Sequence, residues 1–166
     1  MEIEKFEVHI PRWEELPNID LYLDQVVTLL EEYLGKFINS KEDKIITKTM
    51  INNYVKHEVL KSPQNKKYNK DHLARLIVVC ILKQVYSIND IRMLIKLALE
   101  ISDIQISYNR FCMELEDSIF NTFNNKKFIC EQQETDQRYI LKNVVQSFAS
   151  KIYVEKIYLS KEETKN

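Results

Sequence analysis

The scarcest residues constrain this chain most: it holds one glycine and three prolines among 166 positions. Tight β-turns and phosphate-cradling loops draw on glycine, so a sheet-rich fold or a Gly-rich nucleotide site is disfavoured. An apolar share of 45% still supplies a sizeable core. The expectation is an all-α protein with an N-terminal arm (1–19), a helical region (20–101) and a C-terminal helical extension (102–166).

The formal net charge of −1 hides an uneven distribution. Between Lys41 and Lys83 there are ten Lys/Arg against four Asp/Glu, and elsewhere 14 against 21. A basic middle between acidic flanks suits a surface for a polyanion carried on a helical body. The N-terminal Met1–His9 alternates acidic and apolar residues, unlike the basic start and apolar run of a signal peptide. The longest apolar run, Leu76–Leu82, is too short to span a bilayer, so no membrane partner is expected. Cys80, Cys112 and Cys130 lack metal-ligand or redox spacing and read as thiols of a reducing compartment, which points to the cytoplasm.

Periodicity places the elements. Pro11 and Pro17 bracket Trp13 and Leu16 in an arm that packs across the body. Asp20 is positioned to cap a helix in which Leu23, Val26, Val27, Leu30, Leu34 and Phe37 recur at helical spacing. Gly35 weakens its last turn, and Asn39–Lys44 reads as a loop. Thr47 caps a short helix to about His57, and Asn69 caps one to about Tyr86 with Asp71 in its first turn. Ser87 with Asp90 resembles a capping box opening a helix to about Glu100. Further helices are expected over Tyr108–Phe123 and about Glu134–Leu159, with a turn at Asn124–Lys127. The stretch Ile152–Leu159, rich in β-branched and aromatic residues, is also compatible with a strand. Trp13 and Tyr22 are expected to pack in a core.

A helix that reads DNA needs small or polar side chains on the groove side and apolar ones behind. The segment 47–57 meets that need, as a recognition helix with Ile51 and Val55 on one face. Lys48 and Lys56 suit phosphates, Asn52 and Asn53 base edges, and Thr49 either. The segment 58–70, with Lys61, Lys66, Lys67, Lys70 and Tyr68 around Pro63, suits a basic wing gripping the backbone.

The order Ile51, Tyr54, Leu60, Pro63, Tyr68, Asp71, Leu73, Leu76 resembles the winged helix-turn-helix of MerR-type proteins. In these a recognition helix ending in an aromatic-tyrosine pair leads through a wing and a tyrosine into an apolar helix opened by an acid. Ser87-Ile88-Asn89-Asp90-Ile91 is similar to that family's later helix start. More closely, residues 11–100 resemble a family of uncharacterised bacterial proteins with a MerR-like DNA-binding region. The segments Pro11–Pro17, Leu21–Val26 and Ile51–Lys56 carry that likeness. The resemblance implies a MerR-like winged helix-turn-helix followed by a C-terminal helical extension. It also implies double-stranded DNA as partner, a role in transcription regulation, and Tyr54 and Tyr68 beside the basic residues at the interface. Asn52 stands where those proteins carry arginine, and Asn53 where they carry the aromatic. The wing is short and has no arginine or glycine.

No constellation points to catalysis, a metal or a cofactor. The acids Glu114, Glu116 and Asp117, and likewise Glu131, Glu134 and Asp136, read as solvated surface. His9, His57 and His72 are scattered, and none follows a glutamate at the spacing of helical di-metal sites. His72 in a helix's first turn is expected to bond locally, and His57 is placed to touch phosphate. A non-enzymatic regulator is the first expectation and a helical protein–protein adaptor the alternative. A homodimer is expected through the C-terminal helices, with Leu141, Val145, Phe148 and Ile152 as its seam, the alternative being that this stripe packs inward on the chain's own core.

Overall fold

The computed structural model describes residues 6–38, 43–126 and 135–159. These are mostly helical: α1 (Leu23–Leu34), α2 (Lys48–Lys56), α3 (Lys70–Leu82), α4 (Ile88–Ile101), α5 (Ile104–Phe123) and α6 (Asp136–Val154). Two short strands, β1 (Leu21–Tyr22) and β2 (Lys67–Tyr68), pair antiparallel with Leu21 opposite Tyr68 and Tyr22 opposite Lys67. None of the described helices is long and apolar enough to cross a membrane. Parts of the expected loop at 39–44 and turn at 124–127, together with Cys130, Glu131 and Glu134, lie outside the described residues.

Local hydrogen bonds set most helix starts. The Thr47 hydroxyl accepts the Met50 N–H at 3.2 Å, and the Asn69 side chain accepts the His72 N–H at 3.2 Å. Ser87 Oγ accepts the Asp90 N–H at 3.2 Å and donates to the Asp90 carboxylate at 2.6 Å, so of the expected box the structure shows the Ser87 cap, with the acid bonded to the serine hydroxyl. Each cap satisfies a backbone donor that the first helical turn leaves open. Asp20, in contrast, caps nothing: β1 intervenes, and Tyr22 takes the N-cap of α1, its N–H bonded to Gln25 Oε1 at 2.9 Å. Helix α3 ends at Leu82, short of Tyr86, because the Val85 and Tyr86 N–H groups both turn back to the Leu82 carbonyl, at 3.0 and 2.9 Å. Helix α5 begins at Ile104, four residues before the expected Tyr108.

The chain divides into two compact units, residues 11–109 and residues 1–10 with 110–166, the division falling within α5. The expected arm is therefore shared: its first ten residues group with the C-terminal part and the rest with the central helices.

In the 11–109 unit, α3 is the central post. Leu73, Ala74, Leu76, Ile77, Val79, Cys80, Ile81 and Leu82 are all buried. Val26, Leu30 and Leu34 of α1, Ile51 and Tyr54 of α2, and Ile91 of α4 supply the rest of that core. Burial pushes the Cys80 thiol up to about 12, which makes it an inert apolar filler. The Pro11–Glu15 segment is latched to the first turns of α5. Tyr108 Oη donates to the Pro11 carbonyl at 2.6 Å, and the Trp13 N–H donates to Asn109 Oδ1 at 2.8 Å. Glu14 accepts from Gln105 at 2.8 Å and from Asn109, and its own backbone bond followed by these two holds its carboxyl below the ordinary value.

In the other unit α5 and α6 run side by side. Thr122 bonds Gln146 at 3.0 Å, Glu114 lies 3.5 Å from Arg138, and the Phe123 and Tyr153 rings meet edge to face at 5.2 Å. These partners advance in the same direction along both helices, which makes the pair parallel. Residues 6–10 lie along α5 in the opposite sense, the Ile10 N–H on Glu116 Oε1 at 2.7 Å and the Phe6 ring stacked on Phe123 at 5.0 Å.

Two expectations are corrected in this unit, and one alternative is ruled out. Glu114 is buried against Arg138 and Glu116 holds the N-terminal segment, so neither is solvated surface. Val145, Phe148 and Ile152 are each 0% exposed and Leu141 is half-buried, so most of the stripe expected as a dimer seam is taken up by the chain's own core. The segment Ile152–Leu159 is not a strand, since α6 runs to Val154 and a π-helical turn covers Glu155–Leu159.

Candidate functional site

Helix α2 is short and two-faced because only Ile51 and Tyr54 reach the core. Lys48, Thr49, Asn52, Asn53, Lys56 and His57 are all exposed. Its far end is held by Val59 and Leu60, both buried, whose N–H groups return to the Tyr54 carbonyl at 3.0 and 3.2 Å. Inside the unit, the Lys83 ammonium donates to the Ile45 carbonyl and to Met50 Sδ, tying α3 to the entry of α2. Burial lowers the Lys83 pKa from its ordinary value.

The basic segment folds into a tight turn on a ribbon. Gln64 and Lys67 exchange backbone hydrogen bonds at 3.1 and 2.9 Å across Asn65 and Lys66. Both intervening residues are left-handed, with φ of 49° and 61°, the geometry of a type I′ hairpin turn. Asparagine tolerates that region, whereas a lysine in it costs on the order of 1 kcal/mol or more. Lys66 is thereby displayed at the tip.

His72 fastens this turn to α3. Its Nε2 faces the Lys61 carbonyl at 3.1 Å, and its Nδ1 lies 3.0 Å from the Asn69 backbone nitrogen and 2.7 Å from the Asn69 side-chain oxygen. Burial lowers the imidazole pKa from 6.5 against the raising effect of the Lys61 and Ser62 carbonyls. The Tyr68 ring meets His72 edge-on at 5.3 Å.

The start of α1 brings helix and ribbon together. Asp24 pairs with Lys48 at the beginning of α2, and two residues earlier the Tyr22 ring lies 5.1 Å beneath the Lys67 ammonium. The start of α1 therefore ties both the first turn of α2 and the outer edge of the ribbon through side chains two residues apart. Lys70 lies 5.6 Å over the Trp13 ring, extending the basic surface toward the Pro11–Glu15 latch.

The residues singled out in the sequence thus separate into two groups. Lys48, Thr49, Asn52, Asn53, Lys56, Lys61 and Lys66 are exposed, and Lys67 is half-buried on Tyr22. Tyr54 and Tyr68 are 4% and 3% exposed, and burial raises the hydroxyl pKa of each. They support the surface from behind and do not form part of it. Sequence reasoning missed Tyr22 and Asp24. Tyr22, expected in a core, is 54% exposed because β1 turns Leu21 inward and its neighbour outward.

The class these observations define is a mostly helical domain with a buried central helix, a polar-faced helix and a two-stranded ribbon. The chain belongs to the family described as a domain of unknown function (DUF1836), which matches residues 11–111 and so nearly coincides with the 11–109 unit. No curated protein and no solved structure matches the chain.

Proposed function

We propose that the 11–109 unit is a MerR-like winged helix-turn-helix that binds double-stranded DNA as a cytoplasmic, non-enzymatic transcription regulator. Helix α2 is the reading element and the Gln64–Lys67 turn the wing. The observation that carries this reading is the shared anchoring of Lys48 and Lys67 at the start of α1, which ties α2 and the ribbon to one point of the fold. Asn52 and Asn53 then offer hydrogen bonds to base edges, and Lys56 and Lys66 neutralise phosphates. A lysine held at φ 61° where glycine fits without strain supports a use for its charge at the tip. A homodimer would present two such units to paired half-sites, through a surface other than the buried α6 stripe.

The experiment is fluorescence anisotropy of labelled random duplex against salt. Each lost phosphate contact removes about 0.9 from the log–log salt slope, so Lys56→Ala with Lys66→Ala lowers it by about two and weakens all sequences alike. Asn52→Ala instead relaxes preference at one or two positions by about 1–3 kcal/mol in a selection from a random pool. One observation favours the adaptor reading: Lys48, Lys67 and Lys70 are each engaged within the chain, by Asp24, Tyr22 and Trp13. Absence of salt-dependent binding at low ionic strength would sink the DNA reading and leave the adaptor.

A further inference from the structure

Where α2 hands over to the ribbon, α3 and α4 enclose one side of a cleft of about 560 Å³. That volume lies within the usual range for small-molecule sites, about 300–1,000 Å³. Val59, Met93, Ile95 and Leu99 line it with apolar surface, and Arg75, Arg92 and Lys96 bring positive charge to it. Two acids also border the cleft. Glu58 is 3.6 Å from Arg92 Nη1 and largely in solvent, and Glu100 is exposed, so neither neutralises Arg75.

Arg75 is the unusual member. Its Nε is buried and has no hydrogen-bond partner among the described residues. Burial holds its guanidinium pKa below the ordinary value, with only Asp71 working the other way. With Nε itself closed to solvent and the residue half-buried, the guanidinium meets the cleft through its other N–H groups, and a carboxylate there accepts charge-assisted hydrogen bonds from them. Apolar walls around such a group select for a ligand whose remainder is hydrocarbon.

We propose that this cleft binds a small amphipathic organic anion, its carboxylate on Arg75 and its apolar body against Val59, Met93, Ile95 and Leu99. The site stands independently of DNA binding, yet its occupant touches the residues that directly follow α2.

The test uses the full chain, with anilinonaphthalene sulfonate as fluorescent probe and octanoate and octanol as competitors. One dye is expected per chain, and octanoate displaces it about tenfold more effectively than octanol, the size of one charge-assisted contact. Arg75→Gln brings octanoate down to the level of octanol and leaves octanol unchanged, whereas Leu99→Glu removes competition by both. Equal displacement by the two competitors in the unaltered protein overturns the proposal. So does an octanoate preference that survives Arg75→Gln, or dye binding indifferent to Leu99→Glu. If Arg75→Gln fails to fold by circular dichroism, the unaltered protein and Leu99→Glu still decide the matter.

Discussion

Helices α2 and α3 are consecutive in the chain and opposite in character. Helix α3 is buried around most of its circumference, so each of its side chains is chosen by what packs against it. Helix α2 buries only Ile51 and Tyr54, half-buries Met50 and Val55, and leaves its other positions to solvent. The lesson is a division of labour: α3 carries stability, and α2 is free to vary in chemistry without unfolding the unit.

The largest effect that tests this contrast is a cavity in α3. Leu76→Ala, at a side chain with 0% exposure, is expected to cost about 2–5 kcal/mol in denaturant unfolding. Asn53→Ala on α2 is expected to stay within about 0.5 kcal/mol by the same measurement. Comparable losses at the two positions would erase the distinction.

A smaller effect concerns the joint between α3 and the ribbon. His72 is held neutral, with its pKa below the ordinary 6.5, so the unfolded chain accepts a proton that the folded chain refuses. Its contribution is complete above about pH 6.5 and declines as the pH falls below it. The stability gap between the unaltered protein and His72→Gln should narrow over that descent. A constant gap across it would show that the imidazole is not kept neutral.

The smallest effect is expected at the join between α1 and α2. Asp24 and Lys48 are 75% and 56% exposed, so Asp24→Asn should change stability by no more than about 1 kcal/mol. If Lys48 faces phosphate, the same change strengthens duplex binding at low salt by removing a competing negative charge. Weaker binding would move Lys48 out of the interface.

Much of the 11–109 unit was legible before the structure. The caps at Thr47, Asn69 and Ser87, the polar face of α2 and the apolar run of α3 all follow from local spacing. The ribbon was not legible as strands, because each is two residues long and pairs across more than forty positions. Neither the Asp24–Lys48 pair nor the Lys67–Tyr22 contact has a local signature, so the tie of helix and ribbon to the start of α1 was invisible too. In the second unit the stripe Val145, Phe148, Ile152 was correctly seen as apolar, but periodicity does not distinguish an interface from a core.

The sequence by itself determined where helices begin and which sides of them are apolar, because capping and amphipathic spacing act over a turn or two of chain. Tertiary structure alone decided which of those apolar and charged groups meet. It buried Tyr54 and Tyr68 behind the basic surface, turned Glu114 and Glu116 into ties, and left the Arg75 Nε without a partner among the described residues. Burial is a property of all the segments packed around a residue, and those segments are far apart in sequence; no local pattern encodes it.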